Sequence, residues 1–86
     1  MEIDQLTTFV AVATVGGFHR AAETLRVSQP AVSARIKALE DSLGSPLFAR
    51  SRSGLTLTEA GRILRPYAEQ LLKTASQARQ AVHCSF

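Results

Sequence analysis

The chain has 86 residues, 45% of them hydrophobic, and a formal net charge of +3, which is enough material for one small globular domain. Its acidic start, Met1–Asp4, lacks the basic region of a signal peptide, and no apolar run approaches the roughly 18 residues of a membrane span. A single cysteine excludes an internal disulfide and a cysteine-cluster zinc site, so an intracellular domain without membrane attachment is predicted, and an enzyme with its own buried cleft is disfavoured.

The first 26 residues have the periodicity of two helices. Leu6, Phe9, Val10 and Ala13 recur at helical spacing, which predicts an amphipathic helix over residues 3–14. The glycines at positions 16 and 17 are expected to end this helix. A short second helix is predicted at about 19–26, and the small residues on its inner face allow another helix to pack closely.

A third helix is predicted over residues 29–43. Ser28 is a suitable N-cap, and Pro30 is tolerated in a first turn. The helix is expected to end at Gly44 and to bury one face, made of Val32, Ile36, Leu39 and Leu43. Because only about two residues separate it from the second helix, the two are predicted to form a helix-turn-helix.

Residues 47–57 have the pattern of a small β-hairpin with a polar, basic tip and a glycine for the turn. This tip belongs to a basic zone, because residues 18–37 and 50–65 each carry a net charge of +3, and the intervening residues 38–49 carry −2. Two basic zones suggest two contacts with a polyanion if the fold brings them to one side. A mixed, solvated surface is the alternative interpretation.

The last predicted helix, residues 58–82, is long for so small a domain. It starts near Thr58, although Thr56 and Glu59 also match a capping box, and Pro66 is expected to kink it or leave a carbonyl unpaired. Its apolar side chains repeat at intervals of three and four, and part of this face is expected to pair with another chain. The predicted dimerisation residues are Leu64, Tyr67, Leu71, Ala75, Ala78 and Val82. Residues 83–86 are predicted to be a frayed tail.

The outward face of the third helix has the chemistry of a DNA-reading surface. Glutamine and serine side chains can hydrogen bond to bases, short side chains permit close approach, and a lysine supplies positive charge. Arginines at the hairpin tip and at the start of the second helix are placed to contact phosphates. The predicted DNA-contacting residues are Arg20, Ser28, Gln29, Pro30, Ala31, Ser33, Ala34, Arg35, Lys37, Arg50, Arg52 and Ser53.

Several separated motifs resemble the LysR-type transcriptional regulators. The helix-turn-helix carries Arg20-Ala-Ala-Glu-Thr-Leu25 and Val27-Ser-Gln-Pro-Ala-Val-Ser33, and Leu57-Thr-Glu-Ala-Gly61 follows the hairpin. The resemblance covers about residues 2–80. It implies a mainly α winged helix-turn-helix, in which a three-helix core carries the hairpin as its wing (residues 1–57). It also implies that residues 58–82 form a linker helix that pairs two subunits antiparallel.

The resemblance further implies that a dimer binds an interrupted dyad in double-stranded DNA with A·T-rich flanks, in the cytoplasm of a bacterium and associated with the nucleoid. The family's effector-binding domain would follow residue 86, so an effector ligand is expected only there, and no cofactor is expected in this chain. The sequence departs from the family pattern at Ala34 and Ser53, where relatives often carry arginine. Arg35 and Arg52 stand next to those positions.

Two other classes of function are weaker alternatives. An enzyme is disfavoured because the sequence has no Ser/His/Asp set or glycine-rich phosphate loop, and His83-Cys84 offers only two of the four ligands of structural zinc. A module that only dimerises, and acts by pairing with full-length subunits, is the main alternative. The basic third helix and wing favour DNA binding over it, because a dimerisation module needs neither.

Overall fold

Four helices and one two-stranded hairpin make up the part of the chain that the computed structural model describes, residues 1–84. In chain order the elements are α1 (Ile3–Val15), α2 (Phe18–Leu25), α3 (Gln29–Leu43), β1 (Phe48–Ser51), β2 (Gly54–Leu57) and α4 (Glu59–Cys84). The mainly helical fold with a small hairpin and a long last helix is therefore confirmed. The bounds of α3 agree with the prediction, α1 extends one residue further at its C-terminal end, and α2 begins and ends one residue earlier than predicted.

The caps of α1 and α3 agree with those predicted from the sequence. Gly16 and Gly44 follow α1 and α3 in the left-handed conformation, with φ of 78° and 73°, which costs glycine no steric strain. The Ser28 hydroxyl caps α3 by accepting a hydrogen bond of 3.2 Å from the backbone N–H of Ala31. α2 ends less predictably, because Arg26 adopts the left-handed conformation at φ 59° without being glycine.

The core lies where α1 crosses the helix-turn-helix and the first half of α4. Its fully buried members include Phe9, Val12, Val32 and Leu39. Phe48, at the start of the hairpin, adds a half-buried ring whose centroid lies 5.5 Å from that of Phe9. These contacts fix the hairpin to the helical core. The prediction that Leu43 belongs to the buried face of α3 is wrong, because this side chain is 42% exposed. The core covers α3 as far as Leu39, and Leu43 lies one turn beyond it.

The hairpin is anchored at its base and free at its tip. β1 and β2 pair antiparallel, with Phe48 opposite Leu57 at the base and Ser51 opposite Gly54 beside the turn. At the base, the carbonyl of Leu47 accepts a 3.0 Å hydrogen bond from the N–H of Thr58. The tip therefore projects from the body of the domain with its orientation set by the core.

α4 begins at Glu59, after an N-cap made by Thr58. The Thr58 hydroxyl accepts a hydrogen bond from the N–H of Gly61 at 3.1 Å and donates one to the carbonyl of Pro46 at 2.7 Å. The alternative start, a capping box from Thr56, is wrong because the Thr56 hydroxyl instead donates to the carbonyl of Ala49 within the hairpin.

The far end of α4 extends further than predicted. The helix passes through Pro66 without a break, although proline supplies no N–H to the preceding turn. It continues to Cys84, because neither His83 nor Cys84 is a helix breaker, so the predicted frayed tail does not begin at residue 83. The rest of that predicted tail, residues 85 and 86, lies outside the described residues.

Candidate nucleic-acid interface

The turn between α2 and α3 fixes the angle of the helix-turn-helix. The N–H of Val27 donates to the carbonyl of Ala22 at 3.1 Å, and that of Arg26 donates to Glu23 at 3.2 Å. These two bonds close the end of α2, and the Ser28 cap opens α3 two residues later. With its backbone groups paired in this way, the turn presents α3 to solvent in a defined orientation.

The outward face of α3 carries five of the predicted contact residues on one exposed surface. Val32, Ile36 and Leu39 occupy the opposite side and are buried. The exposed residues lie in the first two and a half turns of α3. In helix-turn-helix proteins the N-terminal residues of the second helix contact base edges in the major groove. The five exposed residues are Gln29, Pro30, Ser33, Ala34 and Lys37. Lys37 lies 3.8 Å from the carboxylate of Asp41, an exposed ion pair that leaves its charge accessible.

Three of the predicted contact residues are engaged in other contacts or partly covered by the domain itself. The Ser28 hydroxyl is occupied as the helix cap, and Ala31 is half-buried. Arg35 is also half-buried and lies on the flank of α3, where its Nη1 donates to Oγ1 of the buried Thr8 at 3.4 Å. This contact joins α3 to α1 across 27 positions of sequence, and periodicity alone gives no signal for it.

The wing presents its basic residues at an exposed tip. Arg50 lies in β1 opposite Leu55, and Arg52 belongs to the turn between the strands. Ser53 is exposed as well, but its hydroxyl lies 2.9 Å from that of Ser51, so it contributes to the turn itself. The two arginines have no ion-pair partner among the described residues, and both guanidinium groups face solvent.

The start of α2 supplies a third basic position. Arg20 is exposed in its first turn, and the N-cap residue Gly17 makes no side-chain cap, so the N-terminal N–H groups are left without a side-chain acceptor. Helix N-termini of this kind favour phosphate oxygens. His19, beside it, lies 3.5 Å from Glu23 in an exposed pair. The guanidinium of Arg62 donates a 3.2 Å hydrogen bond to the carbonyl of Leu57 and so braces the base of the wing.

The predicted dimerisation residues divide into two groups. Leu64 is buried in the core of its own chain, which corrects its assignment to an intersubunit face. Tyr67, Leu71 and Val82 are 67%, 44% and 57% exposed, although they are large and apolar. Ala78 is also exposed, and Ala75 is half-buried.

An apolar groove continues this exposed face toward the N-terminus of the chain. It has a volume of about 410 Å³, and its walls come from α4, from the end of α3 and from Met1. Ile63 and Leu43 contribute to its surface and are themselves largely exposed. The groove holds no arrangement of catalytic groups. Among residues 1–84, no cluster of three or more His, Cys, Asp or Glu side chains is placed to bind a metal ion.

A helix-turn-helix with an exposed polar recognition face, flanked by a basic hairpin wing, defines a winged-helix DNA-binding domain. A family model for bacterial regulatory helix-turn-helix proteins of the lysR family matches residues 3–62. The chain belongs to the LysR family of transcriptional regulators.

In the part of the chain that the structure describes, none of the helices combines the length and apolar character needed to cross a membrane.

Known relatives agree with this assignment. Over 82 residues the chain is 48% identical to the HTH-type transcriptional regulator HdfR of Shigella boydii and to HdfR of Escherichia coli. The alignment covers 95% of this chain and 29% of those proteins, so the chain spans less than a third of the relatives it matches.

Two solved structures of isolated DNA-binding domains on DNA match the chain along nearly their whole length. One is the complex of CbnR_DBD with DNA, with a TM-score of 0.90 and 38% identity over 99% of this chain and 98% of that one. The other is BenM_DBD with catB site 1 DNA, with a TM-score of 0.91 and 34% identity over 96% and 93%. Full-length CbnR matches with a TM-score of 0.91, and the match covers 29% of that chain.

Proposed function

We propose that this chain binds double-stranded DNA sequence-specifically, as a dimer on an interrupted dyad with A·T-rich flanks, and that it acts as the DNA-binding part of a transcription regulator in the bacterial cytoplasm. The observation that carries the proposal is the exposed polar face of α3, held by the helix-turn-helix beside a basic wing. The likeness to CbnR_DBD and BenM_DBD, both solved on DNA, supports it.

The proposed roles follow from where each side chain stands. Gln29 and Ser33 lie in the first turns of α3 and have the hydrogen-bonding groups that read base edges in a major groove. Lys37, Arg50 and Arg52 are exposed cations that neutralise phosphates on either side of that groove. Arg20 is proposed to bind a phosphate together with the open N-terminus of α2.

Arg35 is assigned a different role from that predicted by its position in the sequence. Because Arg35 is half-buried and its guanidinium donates a hydrogen bond to Thr8, we propose that it holds α3 against α1. The base contact that the sequence predicted for it stays a prediction. Ser28 and Ala31 are likewise proposed to shape the start of α3, and Ser53 to shape the turn of the wing.

A second copy of the chain is proposed to cover the exposed apolar face of α4. Tyr67, Leu71, Ala78 and Val82 repeat along one side of the helix, with Ala75 beside them. In an antiparallel pair centred near residue 73, Tyr67 faces Ala78 of the other copy, and Leu71 faces Ala75. Large side chains then pack against small ones, which is the arrangement that fills an interface without overlap.

Duplex binding at two salt concentrations tests the proposal. We expect an A·T-rich dyad, first selected from random duplexes, to bind more tightly than a scrambled duplex, and both affinities to fall steeply with salt. The triple variant Gln29→Ala, Ser33→Ala, Arg50→Ala should lose duplex binding and remain dimeric. Arg79→Ala is the matched control, because Arg79 is exposed near the far end of α4. Unchanged affinity in the triple variant would contradict the proposed docking.

The exposed apolar face also favours a second candidate, a module that only pairs with full-length subunits. Its expected result is a stable dimer that binds no duplex at any salt concentration. The first candidate is preferred because the wing arginines and the polar face of α3 have no role in pairing through α4.

A further inference from the structure

The most outward part of α3 is a small apolar surface made by Pro30 and Ala34. The two residues are one helical turn apart, so their Cβ atoms lie about 5–6 Å from each other. Both side chains are exposed, and they stand on the side of the helix opposite the buried Val32 and Ile36. If α3 binds in the major groove of DNA, this surface is therefore the part of the helix that lies closest to the base edges.

The chemistry of this surface selects one kind of contact. Neither side chain has a hydrogen-bond donor or acceptor, whereas Gln29 and Ser33, which do, lie on one flank of it. Lys37 lies at its edge beside Asp41. In the major groove the only apolar group on an unmodified base is the C5 methyl of thymine. Because Ala34 ends at Cβ, it permits a close approach and makes van der Waals contact without displacing the neighbouring polar groups.

We propose that Ala34 reads a thymine C5 methyl group in the half-site and is a specificity-determining residue of this chain. The inference rests on the proposed function, since it requires α3 to lie in a major groove. It adds a chemical class of target: a position where thymine is preferred over cytosine for its methyl group. Hydrogen bonding then provides the rest of the discrimination, through Gln29 and Ser33.

Replacing thymine by deoxyuridine tests the inference, because the exchange removes only the methyl group. Each thymine of the half-site in the selected duplex is replaced in turn, and affinity is measured for the wild type and for Ala34→Gly. We expect at least one replacement to weaken wild-type binding about fourfold, the value of one buried carbon group. The same replacement should have no effect on Ala34→Gly.

Ala38→Gly controls for the lower helix propensity of glycine. Ala38 is exposed on α3 one turn beyond Ala34, further from the first turns that carry Gln29 and Ser33. This variant should retain the wild-type response to deoxyuridine. If Ala34→Gly also retained that response, the inference would be wrong, because the methyl group would then be read by another residue.

A second arm restores the methyl group on a different base. At the sensitive position, a C·G pair should bind more weakly than T·A, and 5-methylcytosine should recover part of the loss for the wild type and none for Ala34→Gly. If no thymine is sensitive although the dyad binds specifically, the inference alone is overturned. If no duplex is selected at all, the proposed function fails and the inference with it.

Discussion

The carboxylate of Glu40 accepts a 2.7 Å hydrogen bond from the backbone N–H of Leu47, and this contact joins the last turn of α3 to the segment that leads into the wing. The carbonyl of the same residue accepts from the N–H groups of Gly44 and Ser45 at 2.8 and 3.3 Å. One residue therefore terminates the recognition helix and positions the wing relative to it.

Replacement of Glu40 by alanine should lower the free energy of unfolding by about 1.5–3 kcal/mol, the usual range for a hydrogen bond to a charged group. Glu40→Gln should lose less, because its amide oxygen can still accept from Leu47. Urea unfolding at a fixed protein concentration measures both. Asp41→Ala is the control, since Asp41 is exposed and should cost no more than about 0.5 kcal/mol. Equal effects for Glu40→Ala and Asp41→Ala would contradict the proposed anchor.

Gly61 marks a close approach between α4 and the base of the wing. A methyl group added there would overlap the carbonyl oxygen of Leu47 and press on the side chain of Leu57. Because the first of these is backbone, the clash is not relieved by a rotamer change, and Gly61→Ala should destabilise the domain by about 1–3 kcal/mol or more.

Gly17 provides the matched control for that substitution. It has extended backbone, with φ of −174°, and no atom lies within 4 Å of an added Cβ. Gly17→Ser should therefore fit and, as an N-cap of α2, change stability by only a few tenths of a kcal/mol. Comparison of the two urea midpoints separates overlap at Gly61 from a general effect of losing a glycine. If Gly61→Ala unfolded at the wild-type midpoint, the close approach would be refuted.

The helix-turn-helix was predictable because its signals are local. The Ser28 cap and Gly44 each act on neighbouring residues, and each fixes an end of α3. The left-handed Arg26 was not predictable, since the conformation is set by the packing of α2 against α3 rather than by the residue type. Leu43 and Leu64 show the same limit for burial. Helical periodicity identifies an apolar face, but it does not tell which part of that face its own chain covers.

The role of Arg35 is a case where tertiary structure and sequence pattern predict different measurements. If Arg35 holds α3 to Thr8, Arg35→Ala should weaken dyad binding but leave the slope of log K against log salt concentration unchanged. Arg50→Ala should lower the magnitude of that slope by about 0.9. Without this arginine one phosphate is no longer neutralised, so one fewer counterion is released from the DNA on binding. Anisotropy titrations over a series of salt concentrations give both slopes. A loss of about 0.9 in Arg35→Ala would show that its guanidinium contacts phosphate instead.

Substitution of Leu64 and of Leu71 on α4 should affect two different properties. Leu64 is covered by its own chain, so its loss should affect stability, whereas Leu71 is proposed to be covered by a second copy, so its substitution should affect dimerisation. Leu64→Ala removes a core side chain and should lower stability by about 2–5 kcal/mol. Leu71→Lys places a charge on the exposed apolar face and should leave helix content unchanged while shifting the protein to monomer.

Sedimentation equilibrium together with circular dichroism measures both effects. Gln80→Lys is the control, because Gln80 is exposed on the opposite side of α4, nine residues and half a turn out of phase with Leu71. It adds the same charge and should leave self-association intact. If Leu71→Lys remained as dimeric as Gln80→Lys, pairing through this face of α4 would be wrong. A folded monomer that binds a half-site more weakly than the dimer binds the dyad would support it, since the second copy adds a tethered binding event.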